Sequence, residues 1–127
     1  FCLSRGLGDV YKRQPQNKAF VEAFRKEYNG RYPSVYAAQA YDVIMAMDAA
    51  VKQAGGKAAD RDAIVKALEK ADYPSVRGSY TYGKNHYPIQ AYYLRVVDKD
   101  ASGRITNKLV GKVFDKYQDV YVGDCKL

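Results

Sequence analysis

The feature that most constrains this chain lies in its second half, where hydrophobic residues occupy both alternating sets of one extended run. Between Ile89 and Asp98, Ala91, Tyr93 and Val97 fall on one face of a strand, while Tyr92, Leu94 and Val96 fall on the other. A strand apolar on both faces asks for cover on two sides. Two further runs with period two flank it, Val76 to Tyr82 and Lys108 to Phe114, set off by Gly83-Lys84-Asn85-His86 and by the polar stretch from Asp98 to Gly103. The last two runs predict a hairpin.

The first half has helical spacing instead. Asn17 stands where an N-cap belongs, followed by the stripe Phe20, Val21, Phe24 and Tyr28 and closed by Asn29-Gly30. After Arg31-Tyr32-Pro33, Ser34 can cap a second helix whose Ala40, Ile44, Met47, Val51 and Ala54 step by four and three to Gly55-Gly56. Its other faces carry many alanines, with Tyr41 and Met45, so cover on more than one side is expected. A third helix begins at Asp60, uses Ile64, Ala67, Leu68 and Ala71 as its stripe, and is expected to stop at Pro74. Three helices followed by strands, one apolar on both faces, leave too few partners within the chain. The expectation is a portion of a larger α/β protein.

Composition excludes several classes. With 127 residues, 47% hydrophobic and 28% charged, the chain suits one compact domain with a core. No apolar run approaches the roughly 18 residues of a membrane-spanning helix. The net charge of +7 is spread among interleaved Asp and Glu and reads as a mildly basic, solvated surface. The second reading it allows is a small basic α+β nucleic-acid-binding module, with Tyr80, Tyr82, Tyr92 and Tyr93 as stacking rings. Tyr92 and Tyr93 point to opposite faces of one strand, and no Gly-x-x-Gly clamp is present, so no nucleic-acid partner is expected.

Enzyme chemistry finds no support in the residues. His86 is the sole histidine, which rules out a catalytic triad or a multi-histidine metal site built from this chain. No nucleophile with a base partner and no glycine-rich phosphate loop appears, so no catalytic residue and no cofactor are expected. Asp98, Asp100, Ser102 and Gly103 have some of the look of a calcium loop but lack the later glutamate, and a polar hairpin turn is the better reading, with no metal. Cys2 and Cys125 lie at opposite ends with no metal-ligand spacing, leaving a disulfide or two unrelated thiols. Residues 1–14 lack either periodicity and stand outside fold reasoning. Their run GLGDVYKRQ resembles a non-native leader found at the open ends of fragmentary gene sequences, in which case the native chain enters near Pro15 and Cys2 is not biological.

From Asn17 to Leu127 the chain resembles the periplasmic substrate-binding proteins of the leucine, isoleucine and valine transporters. Four pieces carry the likeness in order: NKAFVEAFRKEYNGRYPSVYAAQAYDVIMAMDAAVKQAG, DRDAIVKALEKA, GSYTYGKNHYPIQAYYLRVV, and a tail ending in GDCKL. The resemblance implies a type I, two-lobed α/β protein that closes by a hinge on a solute between its lobes. It also implies delivery to a membrane permease coupled to an ATPase, with no covalent chemistry. Residues 15–127 would be its C-terminal portion, contributing helices of the first lobe, a hinge-crossing strand and a C-terminal β-hairpin. A signal peptide and a periplasmic location are expected for the whole. The solute would be a branched-chain amino acid or a similar small amino acid or amide.

Tyr32 and Tyr36 then become candidate cleft residues, because they flank Pro33 at a helix N-terminus, where dipole and free N–H groups favour an anionic ligand. Tyr41-Asp42 matches the family word, but a structural job is expected for the carboxylate. His86, Pro88 and Gln90 are candidate hinge residues, Gln90 by bridging backbone at the crossing. The resemblance further implies that Cys125 pairs with a cysteine in sequence not present here.

Overall fold

The computed structural model describes residues 15–126, so the expectations for residues 1–14 and Cys2 lie outside the described residues. Helix α1 spans Pro15–Glu27, with Pro15 in its first turn, where a missing N–H costs nothing. Asn17 is therefore inside the helix and not its cap. It is fully buried, and its carboxamide donates to the Val76 carbonyl at 2.8 Å. The expected stripe does turn inward: Phe20 is buried, with its ring 4.9 Å from that of Tyr41 and 6.0 Å from that of Phe24. Tyr28, at the end of the stripe, stays more than half exposed. Asn29 and Gly30 take left-handed backbone (φ 51° and 78°), and the Gly30 N–H closes the helix on the Arg25 carbonyl at 2.7 Å.

Helix α2 spans Val35–Gln53 and is capped by Ser34, whose hydroxyl accepts the Ala37 N–H at 3.2 Å. The stripe Ala40, Ile44, Met47, Val51, Ala54 is not its buried face. Ile44 and Met47 are exposed, and the inward residues are Ala38, Asp42 and Ala50. The reason is physical: two alanines allow close approach, and the inward residue between them is a carboxylate with three donors waiting for it. A stripe drawn from apolar residues alone misses that face. Helix α3 spans Arg61–Glu69, is capped by Asp60 through the Ala63 N–H at 3.1 Å, and packs on α2. It ends at Glu69, with Ala71 left-handed (φ 50°), several residues before Pro74.

The first expected strand is the largest departure. Only Thr81–Tyr82 (β1) is extended and paired, while Val76 to Tyr80 forms no strand. Val76 is nonetheless buried, and its peptide groups are satisfied by side chains: its N–H donates to Asp42 at 2.9 Å, and its carbonyl accepts from Asn17. Side chains from two helices thus do what a neighbouring strand would do. Strand β2 spans Pro88–Lys99 and β3 spans Ile105–Tyr117, both longer than expected, in an antiparallel sheet of order β1-β2-β3. Three register shifts interrupt the β2–β3 ladder. In two of them one residue of β2 faces two of β3, from Tyr92↔Phe114 to Tyr93↔Lys112 and from Leu94↔Gly111 to Arg95↔Leu109. Bulges of this kind bend and twist a ribbon. A short 3-10 helix, Val120–Gly123, follows, capped by Asp119.

The core is the cluster of Phe20, Ala38 and Val76, with Val21, Phe24 and Ala37 against it. The two-faced burial expected of β2 is not supplied by the described residues. No residue of β2 is fully buried, and Leu94, Val96 and Val97 are about half or more exposed, as are Val110, Val113 and Phe114 on β3. Among the described residues the fold is an α/β fragment of three α-helices and one antiparallel three-stranded sheet. No described helix is long and apolar enough to cross a membrane.

Candidate functional site

Three groups of residues carry the candidate roles. The first is a clamp at the junction of helices and sheet. The Asp42 carboxylate, 1% exposed, accepts from the Ser75 hydroxyl at 2.7 Å, the Val76 N–H at 2.9 Å and Arg77 Nε at 2.6 Å. A buried carboxylate is tolerated when its oxygens are this fully engaged and a cation is among the donors. Burial pulls the Arg77 guanidinium down, but the hydrogen bond and charge of Asp42 outweigh it, and the net shift is upward. The structural role expected for Asp42 holds, with an arginine as its cation.

Beyond Arg77 the chain enters a tyrosine stack. The rings of Tyr73, Tyr80 and Tyr82 meet edge to face, with centroids 6.1 Å and 5.4 Å apart, and their hydroxyls form one chain of hydrogen bonds. Arg77 Cζ lies 5.7 Å from the Tyr80 centroid. Burial, then the hydrogen bonds with Tyr73 and Tyr82, push the Tyr80 phenol far above its ordinary value of 10.0, so it stays neutral at any physiological pH.

The second group is the turn between β1 and β2 together with the start of β2, which hold the candidate hinge residues. His86 occupies left-handed backbone (φ 55°) and its Nε2 lies 3.1 Å from Glu69 Oε1 at the end of α3. The imidazole therefore ties the turn to a helix, though both side chains remain about half exposed. Pro88 opens β2 opposite Tyr82, and as the first residue of the strand it is placed where a missing N–H is tolerated. Gln90 pairs with Tyr117 across the ladder, and its side-chain Nε2 donates to the Tyr92 hydroxyl at 3.5 Å. Residues 90 and 92 share a face of the strand, so the hydroxyl lies within reach. The turn is also braced by Asn85 Nδ2, which donates at 2.8 Å to Asp119, just beyond the end of β3.

The third group stands at the N-terminus of α2. Tyr36, in the first turn, is 76% exposed, and its ring is open to solvent. Tyr32, just before the cap, is about half exposed and carries two guanidiniums over its ring, Arg104 at 3.8 Å and Arg25 at 4.6 Å from the centroid. Arg104 belongs to the β2–β3 turn, which closes around Asp100. That carboxylate accepts from the Ser102 N–H and hydroxyl and from the Arg104 N–H and Nε, so its oxygens are spent on the turn, as a polar hairpin requires. Sequence reasoning identified Tyr32, Tyr36 and the Asp100 turn; it missed Arg104, Arg25, Arg77, Asn17 and Glu69 as partners. Only Arg25, seven residues from Tyr32, left a local signal. Cys125 is a half-buried free thiol, and no group of three or more His, Cys, Asp or Glu able to hold a metal occurs among the described residues.

The comparisons with known proteins agree on one family. The model of a family described as periplasmic binding protein matches residues 9–103. The solute-binding protein of an ABC transporter from R. palustris, solved in complex with benzoate, is 33% identical and superposes with a TM-score of 0.75 over 91% of this chain and 30% of its own. An ABC transporter substrate-binding protein from Sphaerobacter thermophilus is 21% identical, with a TM-score of 0.73 over 84% of this chain and 29% of its own, a likeness of fold. This chain thus spans about 30% of the length of these solved structures. No curated protein matches.

Proposed function

This chain belongs to the periplasmic binding protein family, and on that footing we propose that it serves solute capture for an ABC importer as the C-terminal portion of a type I, two-lobed protein. The carrying observation is the 33% identity, over 91% of the chain, to a solute-binding protein solved with benzoate. The work is reversible binding in the periplasm and hand-over to a membrane permease, with no covalent step and no nucleic acid.

In this reading Tyr32 and Tyr36 form one wall of the cleft. The N-terminus of α2 supplies unpaired N–H groups and the positive end of a helix dipole, which suit a carboxylate, and the exposed Tyr36 ring suits a flat or apolar body beside it. A small carboxylate of the benzoate kind is the solute class this wall fits. A branched-chain amino acid is the second reading, favoured by the four ordered sequence pieces, and it presents the same carboxylate with an aliphatic body. His86, Pro88 and Gln90 sit where the chain passes from helices to ribbon, and we assign them the hinge. Cys125 is the candidate for a disulfide to sequence outside this chain.

The test is a chimera. Residues 15–126 replace the matching segment of the R. palustris protein, and benzoate and leucine are titrated by calorimetry. Retained benzoate binding that weakens on Tyr36→Ala supports the wall; binding indifferent to Tyr36 overturns it. The isolated 127-residue chain, holding one wall only, is expected to bind neither solute tightly, and micromolar binding to it would refute the division of the site.

A further inference from the structure

Tyr32 is proposed above as a wall of the solute site, yet its ring is not open. Two guanidiniums lie over it, and they differ in kind. Arg25 comes from the end of α1, close in sequence, and its Nε also reaches the Gly30 carbonyl at 3.4 Å, so it belongs to the local structure of the loop. Arg104 comes from the tip of the β2–β3 hairpin, and at 3.8 Å from the ring centroid it stands at stacking distance.

The tip presents Arg104 rigidly. Asp100 holds the guanidinium through Nε at 3.0 Å and Nη2 at 2.9 Å, and the same carboxylate fixes the backbone of the turn at Ser102 and Arg104. With its charge balanced by Asp100, the guanidinium is a poor receptor for a solute carboxylate but a good flat partner for a ring. β2 and β3 otherwise pack chiefly on each other, so the tip contact is an attachment point between ribbon and helices.

We propose that Arg104 is an internal occupant of the Tyr32 wall: the hairpin tip docks on this ring, and a solute that stacks there has to displace it. The inference rests on the reading of Tyr32 as a cleft wall. One ring face takes one planar group at van der Waals distance, so hairpin and solute exclude each other there. The docked hairpin therefore lowers apparent affinity by the fraction of time it occupies the ring.

The test has two arms. In the chimera, Arg104→Met removes the charge and keeps the bulk, and Arg104→Lys keeps the charge and loses the flat stack. Both should tighten benzoate binding roughly threefold, the size of a partly exposed cation–π contact; unchanged or weaker binding overturns the proposal. In the 127-residue chain, amide exchange at residues 100–105 should rise about threefold in Tyr32→Leu and in Arg104→Met, with no further rise in the double variant. Exchange unaffected by either change, or additive effects, would overturn the docking itself. Tyr36→Ala, outside the contact, separates the two ideas: if it leaves benzoate binding unchanged the wall reading fails, while hairpin docking is still judged by exchange.

Discussion

The helical half and the ribbon solve opposite problems. Around α1, α2 and residues 75–77, few side chains are buried, but they include Asn17, Asp42 and Ser75, and long-range hydrogen bonds hold them. In the ribbon the backbone ladder runs from Gln90↔Tyr117 to Lys99↔Ile105, interrupted by three register shifts, and the turn closes on itself, while Leu94, Val96, Val97, Val110 and Phe114 stay exposed. The first region is held by contacts between residues tens of positions apart and has to pay loop-closure entropy for them. The second is held by neighbours across a hairpin and needs little from the rest of the chain for its shape, only for cover. The difference teaches where each region is fragile: the helices at a few polar atoms, the ribbon nowhere in particular.

The largest test of this contrast is Asp42→Ala. It removes the acceptor of three donors and leaves Arg77 without its buried counter-charge. Breaking such a pair from one side costs about 3 kcal/mol where the arginine is still partly solvated. Urea unfolding followed by far-ultraviolet circular dichroism should show that loss in the helical signal. A loss below about 1 kcal/mol would mean that the clamp does not hold the helices.

Gly83→Ala probes the joint between the two regions. A Cβ there would lie 2.9 Å from Asn85 Oδ1, 3.3 Å from Gln118 Nε2 and 3.6 Å from the Tyr87 carbonyl. Asn85 has little freedom to yield, since its Oδ1 accepts from the Tyr87 N–H and its Nδ2 donates to Asp119. Overpacking of this kind costs about 1–3 kcal/mol. The same unfolding measurement reads it, and loss of the Asn85–Asp119 contact should appear as faster exchange at Tyr87. A neutral substitution would show that the turn can move without disturbing either region, which would itself favour a hinge at this place.

The same contrast explains what the sequence disclosed. Local features were legible: Ser34 and Asp60 as caps, Asn29-Gly30 as a helix end, the polar turn around Asp100, the pairing of β2 with β3. Each depends on residues within a few positions, where spacing and side-chain chemistry suffice. The clamp was not legible, because Asn17 meets Val76 across 59 positions and Asp42 meets it across 34. An alternation of apolar residues from Val76 to Tyr82 is the same whether the peptide groups pair with a strand or with a carboxylate and a carboxamide. The stripe on α2 failed for a related reason, as hydrophobic periodicity gives no weight to an inward aspartate. Of the candidate site, the tyrosines at α2 could be named from position alone; the arginine covering one of them arrives from 72 positions later by the path of the ribbon, and no local pattern encodes that.

The smallest predicted effect concerns the ribbon turn by itself. The Asp100 carboxyl is held at about 2, first by the Ser102 hydroxyl, against a little desolvation, and then by the N–H groups of Arg104 and Ser102 and the Arg104 guanidinium. Its ordinary value is 3.8. A folded value below the unfolded one means that between the two the unfolded turn binds more protons, so stability rises with pH across that window. The contribution is complete above about pH 4 and is lost as pH falls toward 2. Asp98 is shifted the same way, first by its hydrogen bond from Lys108, so the two carboxylates of the turn act in one direction. Carboxyl carbon shifts followed by NMR should place the Asp100 midpoint near 2, and Asp100→Asn should remove its share of the acid loss at the tip. A midpoint near 3.8 would mean that the turn does not hold its own shape. The ribbon would then depend on distant contacts as the helices do, and the distinction between the two regions would fall.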